Sequence, residues 1–121
     1  DCLVGANPAN QIDCEQRLEG ALNPPSFGGI TGDDSSGELA YVQIRYSGFT
    51  LNSGSELQSL TTGGVGSGTR ISHIQSFNSS DDGVELFGGE PKLDHFIVVG
   101  AEDDSFDIDT GAKADIQMSG V

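Results

Sequence analysis

The fold is decided by residues 69–112, which read TRISHIQSFNSSDDGVELFGGE over 69–90 and PKLDHFIVVGAEDDSFDIDTGA over 91–112. Written one above the other, these 22-residue rows place apolar residues over apolar ones and acidic residues over acidic ones. Ile71 falls over Leu93, and Val84 falls over Phe106. Such a period, built of short β-rich segments and corners of Gly, Asn, Ser and Asp, is typical of a solenoid whose stacked coils share one interior.

Two further copies flank these rows. An earlier copy begins at Leu39, which corresponds to Ile71 at an offset of 32. The ten additional residues fall within the Gly-, Ser- and Thr-rich stretch 49–67, where an insertion would form a surface loop. A fourth, incomplete copy begins near Lys113. The repeat therefore predicts coils over about 38–68, 69–90, 91–112 and 113–121.

The repeat predicts an all-β protein: a right-handed parallel β-helix with coils of about 22 residues, forming part of a longer solenoid. Helix is disfavoured because glycine is frequent and because Val84-Glu85-Leu86 alternates with a period of two. The predicted interior columns are Leu39, Ile71 and Leu93; Val42, Ile74 and Phe96; Ile44, Ser76 and Val98; Val84 and Phe106; and Leu86 and Ile108.

Residues 1–37 differ from the repeat and are predicted to be an irregular loop region leading into the solenoid. Cys2 and Cys14 are the two cysteines of the chain, and the residues between them are rich in loop formers. A disulfide between them would stabilise the protein by about 3 kcal/mol and would indicate an oxidising compartment. A short helical turn over residues 15–18 is also predicted.

The composition excludes several function classes. The chain has 121 residues, with 19 Asp and Glu against 5 Lys and Arg, which gives a formal net charge of -14. A nucleic-acid binder is disfavoured because no basic stripe is present to displace counterions from phosphates. Anionic lipid headgroups are disfavoured for the same reason. Membrane insertion is not expected, because apolar runs such as residues 96–99 are too short to span a bilayer.

An acidic ladder follows from the stacking of the coils. Equivalent side chains of neighbouring coils lie about 4.8 Å apart, so each ionised pair would repel by roughly 1–3 kcal/mol. Oxygen ligands suit a hard cation, which makes calcium the candidate ion. The alternative is a solvated acidic face whose Asp residues cap their own turns. The candidate metal ligands are Asp81, Asp82, Glu85, Asp103, Asp104 and Asp107.

Two other chemistries use residues of the same rows. An Asp-Asp pair at a coil corner loosely resembles that of pectin-degrading β-helix hydrolases, but their Gly-His-Gly and Arg-x-Lys elements are absent.

His73 and His95 occupy equivalent positions, so they are predicted to stack on adjacent coils. With Asp94 they form an alternative metal site; otherwise they are corner residues bonded to backbone or water.

Four stretches carry a resemblance to a known family: LAYVQIRYSG at 39–48, LTTGGVGSGT at 60–69, SDDGVELFGG at 80–89 and AEDDSFDIDTG at 101–111. Together they resemble bacterial secreted or outer-membrane-associated proteins predicted to be right-handed parallel β-helices. That family is composed mostly of hypothetical proteins and lipoproteins without an established enzymatic activity. The resemblance implies an extracellular or cell-surface location and no catalytic residues.

These observations favour a non-enzymatic structural, adhesive or assembly role. An end coil presents unpaired backbone groups and apolar interior residues, so the expected partners are further coils of the same chain or identical subunits stacked end to end into filaments. The alternative is a protein that binds or cleaves polysaccharide beside the acidic ladder. Its candidate sugar-stacking residues are Tyr41, Tyr46 and Phe87.

Overall fold

The computed structural model describes residues 14–18, 20, 23–52, 54–117 and 120–121. All the regular secondary-structure elements within these ranges are β-strands. The strands are β1 Glu15–Arg17, β2 Ser26–Gly28, β3 Glu38–Arg45, β4 Phe49–Asn52, β5 Ser55–Leu57, β6 Thr61–Gly63, β7 Arg70–Phe77, β8 Glu85–Phe87, β9 Lys92–Val99, β10 Asp107–Asp109 and β11 Asp115–Gln117.

Two parallel sheets run along the stack of coils. One has the strand order β11-β9-β7-β3, and the other has the order β10-β8-β6. Ile71 pairs with Leu93 and Glu85 pairs with Asp107, so both pairings keep the 22-residue offset of the sequence. Paired residues of parallel strands point to the same face of a sheet. The predicted parallel β-helix and its stacked columns are therefore confirmed.

The interior is a continuous column of apolar side chains between the two sheets. The Phe96 ring packs edge-on against the Phe106 ring, with the centroids 5.6 Å apart. One predicted column contains a polar residue, Ser76, and its buried hydroxyl donates a hydrogen bond to Ser59 Oγ at 2.8 Å. That bond offsets the cost of burying the hydroxyl. The buried core residues are Ile71, Ile74, Val84, Leu86, Leu93, Phe96 and Val98.

Each long strand of the first sheet bends at one residue with a positive φ. These residues are Tyr41 (58°), His73 (55°) and His95 (54°). The left-handed conformation is unfavourable for a residue with a Cβ, but here it sets which side chains face the interior. Leu39 and Val42 lie three residues apart, so strict alternation would place them on opposite faces. The bend turns both of them toward the interior, and the same holds in the next two coils.

The predicted insertion in the first coil is confirmed, and the structure divides it in two. The offset is 32 between β3 and β7 but 24 between β6 and β8. Eight of the ten additional residues therefore precede β6, where β4 and β5 form an antiparallel hairpin. The other two lie in the loop between β6 and β7.

The predicted helical turn over residues 15–18 is wrong, because Glu15–Arg17 is strand β1. Its backbone bonds with a neighbouring strand, since β1 pairs antiparallel with β2 and the Leu18 N–H donates to the Pro25 carbonyl at 2.9 Å. The division of the chain into a loop region over 1–37 and coils over 38–121 stays a prediction. Within residues 1–37, strands β1 and β2 pack against the outer side of the second sheet. The contact is close, because a Cβ at Gly64 would lie 2.7 Å from Gly28 N.

Candidate functional site

Two stacked corners hold the acidic residues. The first corner joins β7 to β8 and carries Asp81 and Asp82; the second joins β9 to β10 one coil later. The corners are tied together because the Gly83 N–H donates to the Asp104 carbonyl at 2.9 Å. A Cβ at Gly83 would lie 2.4 Å from Val98 Cγ1, so only glycine allows this close approach.

Five of the six predicted metal ligands come together at these corners. Oxygens of Asp81, Asp82 and Asp103 lie within 4.8 Å of one another, and so do oxygens of Asp82, Glu85 and Asp107. Asp82 belongs to both groups, which places it at the centre of the cluster.

The sixth predicted ligand, Asp104, plays a different part. Its carboxylate belongs to neither group among the described residues. Its backbone N–H instead donates a hydrogen bond to Asp82 Oδ1 at 2.9 Å. Asp104 therefore holds a ligand in place, and it contributes to the corner through its backbone.

The electrostatics of the cluster centre on Asp82, of which only 6% is exposed. The pKa of this carboxyl is raised from 3.8 to about 6. Burial is the largest cause, the hydrogen bond from the Asp104 N–H opposes it, and the negative charges of Asp81, Asp107 and Asp103 add to the rise. Among the described residues, no Lys or Arg forms an ion pair with these four aspartates. A cation bound here would relieve their repulsion.

Gln58 is a member of the site that the sequence did not reveal. Its Nε2 donates to Asp81 Oδ2 at 3.2 Å, and its Oε1 accepts a hydrogen bond from Thr61 Oγ1 at 2.8 Å. Gln58 follows directly after the β4–β5 hairpin, so the 22-residue period gives no register for it. The insertion therefore supplies a positioning group to the acidic corner.

The predicted stacking of His73 and His95 is confirmed. Their rings are 4.4 Å apart at an interplanar angle of 7°, and Tyr41 extends the stack with its ring 4.4 Å from His73. The alternative metal site with Asp94 does not fit this geometry. The lone pair of an imidazole nitrogen lies in the ring plane, so two parallel stacked rings do not converge on one ion. Asp94 instead lies with its Oδ1 2.8 Å from His95 Nδ1.

The three predicted sugar-stacking residues lie in different environments. Tyr41 is 77% exposed and its ring stacks on His73, whereas Tyr46 is 68% exposed and its ring packs edge-on against Phe77. Phe87 is only 3% exposed, because the Phe27 ring of β2 packs against it with the centroids 5.8 Å apart. Phe87 therefore contributes to packing and is not available to stack on a sugar. The sequence did not indicate this cover, since it comes from the region outside the repeat.

Two further expectations concern the chain ends and the membrane. Cys14 is buried, but Cys2 lies outside the described residues, so the Cys2–Cys14 disulfide stays a prediction.

Within the part of the chain that the structure describes, no helix has the length and apolar character needed to cross a membrane.

Comparison with known proteins supports the same architecture. A family model described as a pectate-lyase-like β-helix domain matches residues 2–119. No curated protein matches the chain, and neither does any solved structure.

Proposed function

Because the chain belongs to the pectate-lyase-like β-helix domain family, we propose that it is a structural and assembly solenoid without enzymatic activity. It works outside the cell or at the cell surface, in keeping with the predicted disulfide. Its partners are further coils of its own chain or identical subunits stacked end to end.

The observation that carries this proposal is the loss of burial along the interior columns. In the second sheet, Leu86 is 0% exposed, but Ile108, its partner one coil later, is 49% exposed. In the first sheet, Ile74 is buried while its partner Val42 on β3 is only half-buried. Apolar interior positions are thus open at both ends of the described stack. Another coil would cover them and would also pair with the outer edge of β3.

The acidic corner supports a structural role more than a catalytic one. A glycosidase needs carboxyl groups that reach the scissile bond from both sides, whereas Asp82 is nearly fully covered by protein. We propose that the corner binds calcium, with Asp81, Asp82, Glu85, Asp103 and Asp107 supplying oxygen ligands. Such an ion would join two coils and stabilise the stack, because it binds only when both corners are in place.

End-to-end assembly is tested with two matched substitutions. Ile108→Asp places a charge on the open end, and Ile97→Asp places the same charge on the side of the solenoid at almost equal exposure, 48% against 49%. We expect sedimentation velocity and electron microscopy to show concentration-dependent stacking of the unmodified protein. Ile108→Asp should abolish it and Ile97→Asp should preserve it.

Two results contradict the assembly proposal. One is a monomer at every concentration up to the solubility limit. The other is a loss of stacking with Ile97→Asp that equals the loss with Ile108→Asp, because this would place the contact on the side of the coils.

A further inference from the structure

The outward side of the first sheet carries a surface that the acidic corner does not use. Paired residues of β3, β7 and β9 form columns there, because Gln43 pairs with Gln75 and Gln75 pairs with Ile97. The Tyr41–His73–His95 stack runs beside this column. We call this surface the neutral face and define it by Tyr41, Gln43, His73, Gln75, His95 and Ile97.

The neutral face forms a groove of about 460 Å³. This volume lies in the range of small-molecule sites, which are lined mostly by apolar and aromatic groups with a few polar side chains. The groove has this composition: ring edges and Ile97 supply the apolar surface, and two amides supply donors and acceptors. An amide recurs at the same height in successive coils, so the polar groups follow the axis of the solenoid.

Acidic residues are excluded from this surface although they are frequent elsewhere. The chain has 19 Asp and Glu, yet the segments YVQIR at 41–45, HIQSF at 73–77 and HFIVV at 95–99 contain none. The adjacent Asp94 carboxylate lies 2.8 Å from His95 Nδ1, which orients it toward that ring. The neutral face is therefore a surface without carboxylates on a strongly anionic protein.

The Tyr41 ring offers a place for a flat apolar ligand surface. His73 covers one of its faces in a stacked arrangement, while 77% of the residue remains exposed. His73 fixes the plane of the ring, so a ligand that stacks on the open face loses little additional side-chain entropy. The positive φ of Tyr41 directs the ring outward from the strand at this corner.

From these observations we propose that the neutral face binds an uncharged glycan chain. One pyranose ring packs its C–H face on Tyr41, and the hydroxyls of the following sugar units exchange hydrogen bonds with Gln43 and Gln75. The net charge of -14 repels a polyuronate from the protein as a whole, whereas a neutral glycan does not experience this repulsion. Because Tyr41 lies on β3, whose outer edge an added coil would pair with, a glycan stacked on the open face of Tyr41 competes with assembly at that end of the solenoid.

The experiment compares neutral and anionic soluble polysaccharides as probes. Laminarin, xylan and galactomannan are titrated against the full chain by calorimetry, beside polygalacturonate at the same salt concentration. We expect at least one neutral probe to bind and polygalacturonate to bind less tightly than that probe. Tyr41→Ala should weaken the binding by about tenfold or more, and Gln75→Ala should weaken it several-fold, as expected for central contacts.

Tyr46→Ala is the matched control, because Tyr46 is similarly exposed, at 68%, and lies outside the groove. Its affinity should equal that of the unmodified protein, and unchanged melting temperatures should show that all the variants are folded. The proposal is overturned if no neutral probe binds or if polygalacturonate binds best. It is also overturned if Tyr41→Ala has no larger effect than Tyr46→Ala.

Discussion

At the scale of single residues, Asp82 has the least favourable environment among the described residues of the acidic corner. It is nearly fully covered and surrounded by other carboxylates, so burial and repulsion raise its pKa to about 6. A raised folded-state pKa means that the native protein binds the proton more tightly than the unfolded chain does. Without a cation, stability is therefore expected to fall as the pH rises from about 4 to about 6, by up to about 3 kcal/mol.

Calcium should reverse this loss at neutral pH. We expect saturating calcium to raise the melting temperature at pH 7 by about 5 °C or more. The gain should shrink at pH 5, where the Asp82 carboxyl is mostly protonated and is a poor ligand. Asp82→Asn should abolish most of the gain at pH 7, since the amide removes the charge and retains an acceptor for the Asp104 N–H. Differential scanning calorimetry with calcium and with chelator measures each of these shifts.

Asp104→Asn is the control for this prediction, because the Asp104 carboxylate belongs to neither oxygen cluster. It should keep nearly the whole calcium gain. If chelator leaves the melting temperature of the unmodified protein unchanged, the calcium proposal fails. A solvated acidic face would then account for the corner.

At the scale of the elements, the β4–β5 hairpin differs from the strands of the coils. Its two strands pair with each other, and none of its described residues belongs to the buried core. The hairpin is the larger part of the insertion that lengthens the first coil. The stack therefore requires it far less than it requires β7, β8 or β9.

Replacing residues 49–57 with a single Asp restores the spacing of the later coils at this corner. We expect this variant to lose about 1 kcal/mol or less of unfolding free energy, because loop closure depends weakly on length. Leu86→Ala is the comparison and should cost about 2–5 kcal/mol, since Leu86 is fully buried. Urea denaturation measures both changes. An equal loss in the two variants would show that the hairpin is part of the core.

The 22-residue repeat predicted the positions of residues that recur in each coil, but it did not predict those of residues outside the repeat. Ile71 and Leu93 were placed correctly because the same apolar requirement recurs in each coil. Gln58 was missed because it follows the insertion, where the 22-residue register is lost. The burial of Phe87 was also missed, since its cover, Phe27, comes from a region with no equivalent in the later coils. Tyr41 in the imidazole stack was accessible to sequence reasoning, because the 32-residue offset aligns it with His73.

At the scale of the whole molecule, we propose separate roles for three surfaces. The open ends of the interior columns are proposed to assemble, the acidic corner to bind calcium, and the neutral face to bind glycan. All three depend on stacking, because each is built from equivalent residues of successive coils. Their spacing is fixed by the distance of about 4.8 Å between paired strands.

The most direct test of this stacking is a set of proton–proton nuclear Overhauser effects in the labelled protein in solution. We expect cross-peaks between the methyl groups of Ile71 and Leu93, and between the Val84 methyls and the Phe106 ring. If these peaks are absent while the chain is folded, or if Ile71 contacts residues at another offset, the coils are not stacked as described.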